Sequence, residues 1–339
     1  MFKKITAVFT ALAMAAMAAA CGQSQPSDTL NTSSSLPSSV TSTSAMFSDR
    51  DYEIGYSDAV TVTLSGDTAA ADGAGVTVSG STVTVTAAGT YVLEGTLNGQ
   101  IVVDAGKDDK IHLVLNGASV TRASGAALYV KKADKVFLTT EADTQNALVN
   151  SGEFVQSDDN NVDGAVFSKS DLTINGDGTL TVNSTAHGIV CKDDLKIMGS
   201  VLNITATKKG IDANDSVRIA GGSLTVDSGT DGIHCENTDD TEKGYIYIAD
   251  GTFTITSGRD AFDASGTLTV ENGTFTLTTG GGSQTVTVSG GQMMPNDRTP
   301  SQDTAGNTTE DTSSDGIVWD TSGMTEPPEM PQGGQMPQD

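Results

Sequence analysis

Apolar and polar residues alternate in short runs through much of this chain. "VTVTL", "GVTVSG", "STVTVT", "TYVLEG", "QIVVDA" and "IHLVLNG" follow one another from about residue 58 to 115, separated by Gly, Asn and Asp. Period-two alternation between turn formers predicts strands. They would form a β-rich cap on whatever follows.

Further along, a second and longer period is laid over the first. Ile189, Ile211 and Ile233 recur every 22 residues, each preceded by glycine. Leu195/Ile197 and Val217/Ile219 begin six residues after the first two anchors, and Leu202/Ile204 and Leu224/Val226 seven after that. Val166 opens a similar unit with Leu172 and Leu180, and Phe262 another with Leu268 and Phe275. In the unit opened by Ile233, a seven-residue insertion around "NTDDTEKGY" delays Ile246 and Phe253 without destroying the spacing. The expectation is an all-β solenoid: a right-handed parallel β-helix with three short strands per ~22-residue coil, coils ~4.8 Å apart. Leucine-rich repeats would need another Leu spacing and helix formers. Calcium-binding nonapeptide arrays would need tandem GGxGxD blocks.

The register settles the thiols. Cys191 and Cys235 each sit two residues after an inward isoleucine, in a slot that Ala213 and Ala264 fill elsewhere. Two coils apart, their Cα atoms should lie about 9–10 Å from each other, whereas a disulfide spans less than ~7 Å. Two buried free thiols are expected.

The ends differ in composition from the middle. Lys3 and Lys4 precede an apolar run over 5–20 that ends in Ala18-Ala19-Ala20-Cys21, so 1–21 reads as a signal peptide with a lipobox-like cysteine. Lipidation of Cys21 would anchor the chain at the outer face of the cell membrane; cleavage after an ordinary Ala-x-Ala is the alternative. Residues 22–48 are a Ser/Thr/Pro-rich linker, 49–283 the repeat domain, and 284–339 a low-complexity tail expected to be largely disordered. "SDGIVWD" at 314–320 repeats a coil opening, with Trp319 either capping the core or recurring by chance.

A net charge of -25 argues against a nucleic-acid partner, because no basic stripe exists to release counterions from a polyphosphate. It suits a protein that recruits cations. Stacking in register would gather Asp212, Asn214, Asp231, Glu236, Asp260 and Asp263 on one outward patch, with Asp239 and Asp240 nearby on the insertion. So many hard oxygens are costly unless a cation neutralises them, and Ca²⁺ takes six to eight such ligands. Any single Asp could equally well cap a turn. His112, His187 and His234 are too dispersed for zinc. Beside the acids lie Lys169, Lys192, Lys208, Lys209 and Arg259, cations able to hold sugar carboxylates next to Ca²⁺. "NTDD" at 237–240 has no companion Gly-His-Gly or Arg-Ile-Lys, so it reads as a loop rather than a hydrolase motif.

The stretches "GTYVLEGTLNGQIVVDAGKDDKIHLVLNGASV" (89–120), "SKSDLTINGDGTLTV" (168–182), "HGIVCKDDLKI" (187–197) and "NTDDTEKGYIYIADGTFTITSG" (237–258) resemble bacterial surface carbohydrate-binding-domain-containing proteins. That resemblance, over about 52–283, implies a pectate-lyase-like parallel β-helix that binds calcium and polygalacturonate or cellulose-type glycans. It implies Asp212, Asp231, Asp260 and Asp263 as calcium positions and assigns no catalytic residue. His187 and Lys209 depart from the acid that relatives often place at the coil opening. The expected function is calcium-dependent, non-catalytic binding of acidic, pectin-like polysaccharide at the cell surface, with no membrane contact beyond the lipid anchor. A weak calcium-dependent pectate lyase using Arg259 or Lys209 as base, or an adhesin-like spacer with a protein partner, are the alternatives.

Overall fold

The computed structural model describes residues 46–280 and 286–289. The signal peptide, Cys21, almost all of the linker and the 314–320 segment with Trp319 lie outside the described residues. A short helix, α1 (Asp49–Tyr52), precedes the strands. Two antiparallel hairpins come first: β1 (Val60–Gly66) with β2 (Thr68–Ala71), and β3 (Val76–Ser79) with β4 (Thr82–Val85).

From β4 onwards the smaller sheet is parallel. It stacks β6 (Gln100–Asp104), β8 (Leu128–Lys132), β11 (Gly164–Ser168), β14 (His187–Cys191), β16 (Ile211–Ala213), β18 (Ile233–Cys235) and β21 (Phe262–Ala264). Among the described residues the larger sheet has 15 strands. With β1 and β2 it contains β5 (Gly89–Leu97), β7 (Lys110–Arg122), β9 (Lys135–Thr140), β10 (Gln145–Asn150), β12 (Asp171–Gly176) and β13 (Thr179–Ser184). It continues through β15 (Asp194–Ala206), β17 (Ser216–Ser228), β19 (Tyr245–Ile248), β20 (Thr252–Ser257), β22 (Leu268–Val270) and β23 (Thr274–Thr279) to β24 (Val286–Ser289). The pairing of β24 with β23 is antiparallel.

The expected right-handed parallel β-helix with three strands per coil is corrected by this topology. β7, β15 and β17 each run unbroken for 13 residues, through what the repeat divides into two strands. Each half of β7 and of β15 finds its own partner, so β7, β9, β12, β15, β13 and β10 close a ring of six parallel strands beside the second sheet. The physical reason lies at the corner. Gly199 (φ 139°) and Gly222 (φ 107°) bend the chain there, and the register slips between Ile197 and Val201 without ending the ladder. Glycine turned the strand instead of stopping it.

The in-register stacking of the repeats does hold. Ile189, Ile211, Ile233 and Phe262 are direct neighbours across successive strands, and the three isoleucines are fully buried in one continuous core. Cys191, Ala213, Cys235 and Ala264 form the adjacent inward row, and both cysteines are buried and free.

Candidate functional site

The small residue before each anchor explains the Gly-Ile step. A Cβ at Gly210 would lie 2.6 Å from the Gly232 carbonyl oxygen and 2.4 Å from a Val226 methyl; Gly188 and Gly232 meet the same obstruction. Ala261 takes the equivalent place beside β21, the last strand of the sheet. Tight stacking there brings the outward residues on either side into vertical rows.

Those rows partly assemble the predicted patch. Asp231, Asp260 and Asp263 each bring a carboxylate oxygen within 4.8 Å of the other two. Asp231 is only 1% exposed and accepts the Asp260 backbone N–H at 3.3 Å, while Arg259 Nε stands 4.0 Å from the same Asp231 oxygen. Three hard oxygen donors, Asp231 buried and Asp260 exposed at the surface, are of the kind a Ca²⁺-class cation takes.

Asp212 is not in that group. Its Oδ1 accepts from Lys209 Nζ at 3.0 Å and pairs with His234 Nδ1 at 2.7 Å. Burial alone would push the Asp212 carboxyl up, but the His234 hydrogen bond and the Lys209 ammonium hold it well below the usual carboxylate range. Lys209 is correspondingly spent on Asp212 and His234. The other face of His234 carries Nε2 3.7 Å from both Glu236 and Asp263, which ties this dyad to the three-carboxylate group.

The remaining candidates scatter. Asn214 follows β16 half-buried, its backbone N–H donating to the Cys191 carbonyl. Lys192 Nζ stands 6.0 Å over the Phe167 ring, and Lys169 bonds to the Asn160 side chain. Asp239 and Asp240 are held by the insertion's own turn, where both backbone N–H groups donate to Asn237 Oδ1.

That insertion leads to a second acidic site that spacing alone could have revealed. Asp171, Asp193 and Asp215 are 22 residues apart in turn, and with Asp194, Asp240 and Glu242 they line an open cavity of about 480 Å³. Burial, the Asp171 charge and a side-chain hydrogen bond with Asp215 push the Asp193 carboxyl up to about 6. Asp215 also accepts from Asn237 at 3.0 Å and Lys243 at 2.5 Å. Arg218 donates to Asp194 at 2.6 Å.

A family model described as carbohydrate-binding domain-containing protein matches residues 79–324. A carbohydrate-binding domain-containing protein of Acetivibrio thermocellus is 40% identical over 113 residues, which is 32% of this chain and 40% of that protein. The aligned segment thus spans well under half of the relative's length. A polysaccharide lyase-like protein from C. thermocellum, solved as a gadolinium derivative, superposes with a TM-score of 0.62 at 34% identity. That match covers 65% of this chain and 91% of the solved one.

Proposed function

Because the chain belongs to the family of carbohydrate-binding domain-containing proteins, we propose that it binds an acidic, pectin-like polysaccharide through a divalent cation at Asp231, Asp260 and Asp263. The observation that carries this reading is the convergence of those three carboxylates within 4.8 Å. A chain of net charge -25 repels a polyuronate unless a cation stands between the two. A Ca²⁺ ion would supply that bridge. The protein's own residues do the rest. Asp231 is held by the Asp260 N–H, and His234 Nε2 stands 3.7 Å from Asp263. Arg259, largely exposed beside Asp231, is free to reach a second sugar carboxylate. The place of action is the cell surface, reached by export and a lipid at Cys21.

On this reading the binding is non-catalytic, with Arg259 holding a sugar carboxylate rather than abstracting a proton. Lys209, one of the two candidate bases, is already committed to Asp212 and His234, and so lacks the free position that proton abstraction needs.

Affinity electrophoresis in polygalacturonate gels tests this. Retardation in Ca²⁺ should vanish with EDTA and fall at least tenfold in affinity in Asp231→Asn and Asp260→Asn. Retardation that survives EDTA would refute the bridge; none in any condition would leave a protein-binding spacer. Release of unsaturated uronate, read by ultraviolet absorbance, would establish a lyase instead.

A further inference from the structure

Thr173 and Asn175 occupy outward positions on β12, yet both are buried, as are Phe137 and Thr139 on β9 and Tyr247 on β19. Residues 46–56 cover them. This segment contains α1 and no strand. Its Phe47 ring lies 6.0 Å from that of Tyr247, and its Arg50 guanidinium 4.0 Å over Phe137. Tyr56 packs edge-on to His112 and donates to Glu141 at 3.2 Å.

At the centre sits Asp51, 0% exposed. One carboxylate oxygen accepts from Lys135 Nζ at 2.8 Å and Thr173 Oγ1 at 3.1 Å; the other accepts from Lys196 Nζ at 2.7 Å. Ser48 completes the set from within the segment, donating its N–H at 2.9 Å and its hydroxyl at 2.8 Å. The three donors of the sheet come from three adjacent parallel strands, β9, β12 and β15. Lys135 and Lys196 keep only 14% and 12% of their side chains exposed. Two ammonium groups so placed repel each other unless an anion lies between them. The sheet supplies the cations and the hydroxyl; the anion is borrowed from a segment outside it.

The attachment of that segment differs in kind from that of a strand. Its main chain is held to the sheet by side chains: Asn175 Nδ2 donates to the carbonyls of Asp51 and Glu53 at 3.0 and 3.2 Å, and Arg218 to that of Met46 at 3.4 Å. Lifting it breaks no ladder between strands, so the sheets can stay folded while it leaves.

We propose that Lys135, Lys196 and Thr173 form a carboxylate-binding notch and that residues 46–56 are its displaceable internal ligand. When the strap lifts, the notch takes a carboxylate from outside, with Phe137 and Tyr247 uncovered on either side for the body of a small acidic molecule such as a uronic acid. The notch lies on the larger sheet, away from the strand edge that carries Asp263, and stands or falls independently of the cation bridge.

The test uses the full chain with Asp51→Ala, with Asp51→Asn, and with Lys196→Met added to each. Hydrogen exchange of the 46–56 amides reports the strap, and sodium glucuronate titrated against the lysine side-chain NMR signals reports the notch. Both single variants should exchange the strap amides at least tenfold faster while β9, β12 and β15 keep their protection. They should also bind glucuronate at least tenfold more tightly than the parent, a gain that Lys196→Met abolishes. A strap that stays protected overturns the proposal. So does a freed strap with no gain in glucuronate binding, a gain indifferent to Lys196, or loss of the whole fold in both single variants.

Discussion

At the scale of the residue, close stacking decides what is tolerated. Gly210 faces the Gly232 carbonyl and Val226 with no room for a methyl group. Gly210→Ala is expected to cost about 1–3 kcal/mol through overpacking, read as a lowered urea midpoint, whereas Gly221, with open space around it, should accept alanine at far smaller cost. Asp193 makes the opposite argument, from charge. Its carboxyl titrates at about 6 in the folded chain, against ~4 when unfolded. Between those values the folded state binds the extra proton, so this group's contribution to stability falls as pH rises through the window. Asp193→Asn should therefore stabilise the protein at pH above the window and flatten its pH dependence within it, as urea melts on either side will report. Both positions trace to a 22-residue spacing visible in the chain; the size of the Asp193 shift does not, because it depends first on how deeply the fold buries that carboxyl.

At the scale of the element, the insertion and the strap are the informative pieces. The "NTDDTEKGY" loop is anchored by Asn237, which receives two backbone N–H groups and donates to Asp215 at 3.0 Å. Asn237→Ala should release the loop at a cost of about 1 kcal/mol per lost bond, and limited proteolysis should then cut within 238–243 while the sheets survive. The fused strands teach a related lesson. A glycine between two apolar runs reads as a break, yet Gly199 and Gly222 let the extended backbone continue round a corner. The strap was invisible to pattern reading for another reason. Period two assigns Thr173 and Asn175 to solvent, and nothing in their own sequence tells that a segment more than 100 residues upstream lies over them.

At the scale of the molecule, a chain whose net charge is -25 repels itself, and the acids carried on the stacked strands oppose their own close packing. Thermal midpoints should rise as NaCl is raised from low ionic strength, because screening relieves that repulsion. Ca²⁺ at equal ionic strength should raise them further if the Asp231 group holds it, and Asp231→Asn should erase the extra increment alone.

The chain's own order determined whatever recurs along it. Repeat length, inward anchors and the free and buried Cys191 and Cys235 follow from equal spacing, because equivalent residues of equal repeats must become neighbours when parallel strands pair; the gathering of Asp231, Asp260 and Asp263 follows from the same register carried across a 29-residue repeat lengthened by the insertion. What only the tertiary structure decided are the contacts between unequal parts: the ring closed by strands that turn corners, the withdrawal of Asp212 and Lys209 into an ion pair beside His234, and the strap seated on Lys135 and Lys196. Those depend on backbone curvature and on which charge reaches which partner first in space, and neither is written in the period.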